Sequence, residues 1–230
     1  MAHLFALGTM LVQLATPQVV AAPKAHAARP ADPGGSLVAY VRRGRGVALR
    51  VRPNGRSVGV VGSRTVFGSR LALPVVRARG TWLGVVSGAM PNGRLAWVDA
   101  SGGALAFGRV KVRLEADLSS RSLRVWADGR VVRRMRVGIG RRGSGTPTGR
   151  FSVTDKLGGA AYGSGYGCCI LALSGKQTNL PRGWTGGARL AIHGGSTAGA
   201  VSAGCLHAAT RNLRYLMRVV PLGTQVVIHR

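Results

Sequence analysis

Short apolar runs, each closed by a glycine-containing turn, fill the first folded part of the chain: residues 38–41, 47–51, 58–61, 71–76, 82–86 and 95–98. Runs this short, rich in β-branched residues and interrupted this often, leave no room for long helices and read as strands. Glycine at 36 of 230 positions and an aromatic content of only 5% point the same way. The chain is therefore expected to be mostly β, its first six runs forming a small barrel or sandwich.

The tetrapeptide Pro53-Asn54-Gly55-Arg56 recurs as Pro91-Asn92-Gly93-Arg94. Asn-Gly supplies the positive φ values that tight hairpins need, so the recurrence reads as two hairpin turns rather than a duplicated module.

Ahead of these runs, residues 4–22 are largely apolar but interrupted by Gln13, Pro17 and Gln18, and they lead to Ala25-His26-Ala27, an A-x-A cleavage pattern. Residues 1–27 thus read as a secretory signal peptide, although only His3 stands where a basic n-region is usual. If the segment stays uncleaved it is the chain's one route to a membrane. Residues 28–36 have linker composition. The protein is expected outside the cytoplasm.

The formal charge of +27 arises from 33 Lys and Arg against 6 Asp and Glu, and lysine occurs only at 24, 111, 156 and 176. The arginines are spread through every segment, so the whole surface is expected to be positive and to favour polyanions. No zinc-finger, RNP or basic-zipper pattern is present and aromatics for base stacking are few, which argues against nucleic acid as the partner.

The chemistry gathers in the second half. Leu190, Ala191 and Ile192 deliver His193 at a strand end, Gly194 and Gly195 let the chain turn, and a small polar loop leads to Ser202-Ala203-Gly204-Cys205-Leu206-His207. A thiol with an ordinary pKa of about 8.5 is mostly protonated at neutral pH, so a neighbouring imidazole must take its proton before it can act as a nucleophile. Leu206, Ala209, Leu213, Leu216, Met217 and Val220 recur at helical spacing, which predicts a helix opening close to Cys205, where the helix dipole favours a thiolate.

Three cysteines are present, and Cys168 and Cys169 are adjacent, leaving Cys205 without an obvious partner. The adjacent pair either closes a vicinal disulfide or packs as small apolar residues with Ile170, Leu171 and Leu173; the second is the expectation.

These blocks resemble the L,D-transpeptidase (YkuD-type) catalytic domain, which has an Ile-His-Gly strand end followed by a Ser-His-Gly-Cys-Ile-Arg type of segment. Upstream, Gly145-Thr146-Pro147-Thr148-Gly149-Arg150-Phe151 resembles the family's Gly-Thr-Pro-Thr-Gly-x-Phe turn, in the family's order. The resemblance covers residues 109–230 and implies a β-sandwich-like catalytic domain with one helix after the catalytic cysteine. Residues 37–108 loosely resemble a bacterial SH3-like module, on the stretch from Arg79-Gly80-Thr81-Trp82 to Leu95-Ala96-Trp97-Val98. Two positions depart from the family pattern. Ala203 stands where a second histidine is usual, and His207 stands where Arg or Asn lies near the substrate carboxylate.

What the resemblance implies is an acyl transfer. Cys205 attacks the bond between the diacid residue and D-Ala of a peptidoglycan tetrapeptide stem, His193 is the base, and the Gly194 carbonyl orients the imidazole. Backbone N–H groups around Gly204 and Cys205 hold the oxyanion. Ser202, His207, Tyr162 and Tyr166 are the candidate substrate contacts, the tyrosines on a glycine-rich loop, 158–167, lying over the cleft. Transfer to an amine of a neighbouring stem gives a 3→3 cross-link, and transfer to water makes the same residues an L,D-carboxypeptidase. No cofactor is implied. Stem peptides are the expected partner, with anionic wall polymers a second one.

Two rivals come from other classes. His193, Cys205 and His207 with Cys168 or Cys169 could ligate zinc, but the paired C-x-x-C or H-x-x-x-H spacing is missing. A non-catalytic wall-binding protein would need the charge and the first module but not Cys205. Gly138-Ile139-Gly140-Arg141-Arg142-Gly143 fits G-x-G-x-x-G, yet a Pro/Gly turn follows it instead of a helix, so no dinucleotide fold is expected.

Overall fold

The computed structural model describes residues 35–230; the expected signal peptide and nearly all of the expected linker lie outside them. Two sheets, each with its own apolar core, account for most of the chain.

The first sheet is built from β1 (Ser36–Val41), β2 (Val47–Arg50), β3 (Ser57–Val61), β4 (Ala72–Arg79), β5 (Trp82–Val85), β6 (Ala96–Asp99) and β7 (Leu105–Val110). Its seven strands run in the order β3-β2-β6-β5-β4-β1-β7, all neighbours antiparallel. The strand not foreseen from the apolar runs is β7, which pairs with β1 over its whole length. Its inward residues, Leu105 and Val110, are separated by Ala106, Phe107, Gly108 and Arg109, so the run lacks a continuous apolar signal. Leu49, Leu73, Val85, Ala96 and Val98 fill the core.

The two Pro-Asn-Gly-Arg segments both join antiparallel neighbours, but through different turns. Asn54 takes a φ of +53° in the first, whereas Gly93 takes +79° in the second. The flanking strands, and not the tetrapeptide, decide which residue carries the left-handed conformation.

The second sheet begins with β8 (Val112–Asp117), β9 (Ser122–Ala127) and β10 (Arg130–Arg136), a meander whose last hairpin turns at Asp128-Gly129, both at positive φ. After a two-residue strand β11 (Ile139–Gly140) come β12 (Gly149–Gly158), β13 (Cys169–Lys176), β14 (Arg189–His193), β15 (Ala200–Ser202), β16 (Leu206–His207), helix α1 (Thr210–Val219) and β17 (Gln225–His229). The order is β10-β9-β8-β17-β12-β13-β14-β16, with β8–β17 and β14–β16 parallel and the rest antiparallel. The strand β11 pairs with β15 apart from it, and a turn, not a helix, follows β11, so no dinucleotide-binding unit forms.

Among the described residues α1 is the one α-helix. It buries Leu213 and Leu216 against the sheet while Arg211, Arg214 and Arg218 face solvent. No helix among the described residues is long and apolar enough to cross a membrane.

The sheets meet at specific points. Asn92 donates from its side-chain amide to the Lys176 carbonyl at 2.6 Å and accepts from the Lys176 N–H at 2.9 Å, imitating a strand pairing between the units. Val38, Ala72 and Val110 form a small apolar seam with Val112 and Leu222. The hairpin 63–70, closed by the Arg64–Arg70 bridge, reaches the second sheet through Thr65, whose hydroxyl hydrogen-bonds the fully buried Asp155 carboxylate.

Candidate active site

Side chains alternate across a strand, and the β14–β16 register sets Ile192 against Leu206 and His193 against His207. Ile192 and Leu206 both point into the core. The alternation therefore turns Arg189, Ala191, His193, Cys205 and His207 to the opposite face, so that the thiol and two imidazoles, from segments apart in sequence, share one side of the sheet. Cys205 is half-buried and free, with its Sγ 4.0 Å from the Arg189 carbonyl.

The imidazole of His193 is fixed by its own backbone. Its Nδ1 lies 2.7 Å from the Gly194 carbonyl oxygen, so Nδ1–H donates and Nε2 is left as the base. That carbonyl is itself held in place, because the Gly194 N–H donates to the Tyr166 carbonyl at 2.8 Å. Here the two backbones approach too closely for a side chain, since a Cβ on Gly194 would stand 2.8 Å from the Gly167 Cα.

Burial pushes the His193 pKa down to about 4, and the neighbouring His207 adds to the effect, against a smaller opposing pull from Gly194. Burial also lowers His207 and raises the Cys205 thiol, the latter partly offset by the Ala191 backbone. Both shifts favour the uncharged forms, a neutral thiol and a neutral imidazole, at neutral pH. The rings of His193 and His207 stand 4.7 Å apart, and the buried Nδ1 of His207 makes no hydrogen bond.

Two expectations are corrected, the start of the helix and the state of the adjacent cysteines. The thiol is not at a helix N-terminus: Leu206 and His207 pair with β14, and α1 starts only at Thr210. The pull of the sheet edge on Leu206 overrides the helical spacing that includes it. The buried hydroxyl of Ser202, a candidate substrate contact, donates to the Cys205 carbonyl at 2.6 Å and accepts from the Gly204 N–H at 3.0 Å, tying the cysteine loop. That bond also occupies the Gly204 N–H, leaving the Cys205 N–H as the donor of the two for an oxyanion. Cys168 and Cys169 form a disulfide instead of packing as free thiols. It falls where β13 begins, two residues after Tyr166 and beside Ile170, the strand partner of His193.

The tyrosines sit on two 3₁₀ turns, Gly159–Tyr162 and Ser164–Tyr166. The Tyr166 ring is 4.8 Å from His193, and the half-exposed Tyr162 packs edge-on at 6.4 Å from Tyr166.

Several residues of the site carried no local signal. Gln177 is buried and spreads its side-chain amide over the carbonyls of Ser144, Gly145 and Ala203, linking the Gly-Thr-Pro-Thr-Gly turn to the cysteine loop. It lies directly behind Gly204, where φ is +126° and a Cβ would stand 2.2 Å from the Gln177 Nε2. Phe67, from the first sheet's hairpin, continues the ring series at 6.1 Å from Tyr162 and lies under the Arg189 guanidinium at 5.5 Å. Arg189 in turn pairs with Asp155 at 3.5 Å and donates to Thr154 at 3.2 Å.

Among the described residues no group of three or more His, Cys, Asp or Glu converges as a metal site, and the disulfide removes the fourth ligand that a zinc reading required.

A free cysteine and a histidine oriented by a backbone carbonyl, on one face of a mixed β-sheet, define a candidate cysteine–histidine site. Residues 111–228 match the YkuD family, the L,D-transpeptidase catalytic domain, and the protein belongs to that family. Solved structures similar to it include an L,D-transpeptidase from Mycobacterium smegmatis, at 20% identity and a TM-score of 0.42 over 59% of this chain and 73% of that one. The Enterococcus faecium L,D-transpeptidase C442S mutant follows at 17% and 0.42, over 68% and 74%. The L,D-transpeptidase LdtMt1 in complex with imipenem stands at 15% and 0.44, over 70% and 92%. These superpositions are loose, and the family assignment rests on the domain match. No curated protein matches the chain.

Proposed function

We propose that the protein is a peptidoglycan L,D-transpeptidase acting outside the cytoplasm. The observation that carries the reading is the His193 imidazole, held by the Gly194 carbonyl with Nε2 free on the face that bears Cys205.

In this mechanism His193 Nε2 takes the Cys205 proton as sulfur attacks the carbonyl between the stem's diacid residue and its terminal D-Ala. The Cys205 N–H stabilises the oxyanion. The C–N bond breaks, the imidazolium protonates the departing D-Ala amine, and a thioester remains on Cys205. An amine of a second stem loses its proton to His193 and attacks the thioester, forming the new amide and restoring the thiol. Tyr162, Tyr166 and His207 line the path that substrate takes to the sulfur. The vicinal disulfide supports export to an oxidising compartment, and the first sheet is read as an SH3-like module serving the same wall.

Intact-mass measurement after incubation with a carbapenem tests the nucleophile. The expected result is one covalent adduct, absent in Cys205→Ala and impaired in His193→Ala; a folded wild type that stays unmodified overturns the reading. Product analysis with purified muropeptides tests the transfer step, since products consisting only of shortened monomers make the protein a carboxypeptidase instead.

A further inference from the structure

From residue 35 to residue 110 every basic residue is an arginine and the one acid is Asp99. Four of these arginines meet around a single cavity of about 430 Å³: Arg42 and Arg43, which continue from β1, and Arg64 and Arg70, which face each other across the bridge at the base of the 63–70 hairpin. None of its lining residues belongs to the site around Cys205.

Contacts within the fold position three of the four. Arg42 donates through Nε to the Leu105 carbonyl at 3.1 Å, Arg64 donates to the Gly68 carbonyl at 2.5 Å, and the Arg70 guanidinium lies 4.0 Å above the Tyr40 ring. These neutral contacts orient guanidinium groups without neutralising them. Among the described residues no carboxylate forms an ion pair with any of the four. Like charges gathered on one cavity repel, and an oxyanion placed among them removes that repulsion.

We propose that this cavity is a binding site for a linear polymer carrying repeated phosphate groups. Guanidinium forks match the paired oxygens of a phosphate in a way that a compact ammonium does not, which suits an all-arginine lining. The volume falls within the ~300–1,000 Å³ typical of ligand pockets, larger than one small ion calls for. Nucleic acid fits less well, because none of the lining residues is aromatic and the nearby Tyr40 ring already carries Arg70 on one face, which leaves the lining itself without a platform for a base. The site stands apart from the catalytic reading and does not depend on it.

The test uses the full chain, inorganic polyphosphate as the probe, and calorimetry at about physiological salt, where diffuse attraction is screened beyond roughly 8 Å. Two double variants are compared, Arg42→Gln with Arg43→Gln and Arg64→Gln with Arg70→Gln. The control is the double variant Arg130→Gln with Arg211→Gln, which removes the same charge from exposed positions on the second unit. The expected result is a loss of affinity of about tenfold or more in either cavity variant and less than threefold in the control, with every variant still unfolding in one cooperative thermal transition. Equal losses in all three reduce the binding to diffuse charge and overturn the proposal, as does wild-type affinity in both cavity variants. A single-stranded oligonucleotide, or vesicles rich in anionic lipid, that binds more tightly than polyphosphate through the same four arginines would overturn the ligand class.

Discussion

The Nδ1 of His193 and the carbonyl of Gly194 are 2.7 Å apart, a contact between adjacent residues that fixes the tautomer of the base. A backbone carbonyl does this without a carboxylate or amide side chain from elsewhere in the chain. His193→Ala is expected to slow carbapenem acylation by at least about 100-fold, the low end for loss of a general base, and Cys205→Ala to abolish it. Rates within a few-fold of wild type in His193→Ala would assign the base to another residue.

The pKa of about 4 for His193 sets the acid limb of the reaction. The imidazole stays available well below neutrality, so the acylation rate is expected to hold level as pH drops from 7 to about 5 and to decline only near 4. A limb close to 6.5, the ordinary histidine value, would contradict the buried environment seen around the ring.

The same burial has a consequence for folding. The folded-state pKa of His193 lies below its unfolded value, so the unfolded chain takes up the proton first on acidification. Its favourable contribution is complete above about pH 6.5 and is lost as pH falls towards 4, a difference on the order of 3 kcal/mol, with His207 acting in the same direction. Urea midpoints measured from pH 7.5 to 4.5 should fall in the wild type and fall distinctly less in His193→Gln. Parallel slopes would rule the assignment out.

Gly204 has a φ of +126° and Gln177 pressed against its missing side chain. Gly204→Ala combines backbone strain with a clash and should cost roughly 1–3 kcal/mol, with slower acylation because Cys205 is the next residue. Denaturant unfolding together with acylation rates checks both parts; an alanine variant as stable and as fast as wild type would mean that the loop relaxes freely.

Phe67 belongs to the first sheet yet touches Tyr162 and Arg189 beside the reacting groups. Phe67→Ala is expected to slow acylation about tenfold, while Val66→Ala, next to it and 87% exposed, should not. A double-mutant cycle with Tyr162→Ala should return a coupling of about 0.5–1.5 kcal/mol, as for other edge-on ring pairs. Strict additivity would show that Phe67 does not act through the tyrosine loop.

The disulfide is checked by counting thiols. Alkylation of the denatured chain should add one label without a reductant, on Cys205, and three after reduction. Three labels in both conditions would show the vicinal pair to be reduced.

Local chemistry made much of this protein legible. Short β-branched runs ending in glycine located most strands of the first sheet, because that signal acts within a few residues. His193 and Cys205 stood out for the same reason, each set in a small-residue loop beside an apolar run. The helical spacing after Cys205 misled at its start, since a sheet edge at β14 captured Leu206 and His207 before the helix could begin.

The sequence by itself determined the β character and the arginine-based charge and singled out His193 and Cys205 as candidates, all written in composition and near-neighbour pattern. Only the tertiary structure decided what surrounds them. The parallel pairing of β14 with β16 puts thiol and imidazoles on one face. Gln177 ties two distant loops behind Gly204, and Ser202 is spent on its own loop. Phe67 crosses from the other sheet, and four arginines converge on one cavity. Each of these depends on contacts between segments tens of residues apart, which burial and sheet register settle together and no local pattern encodes.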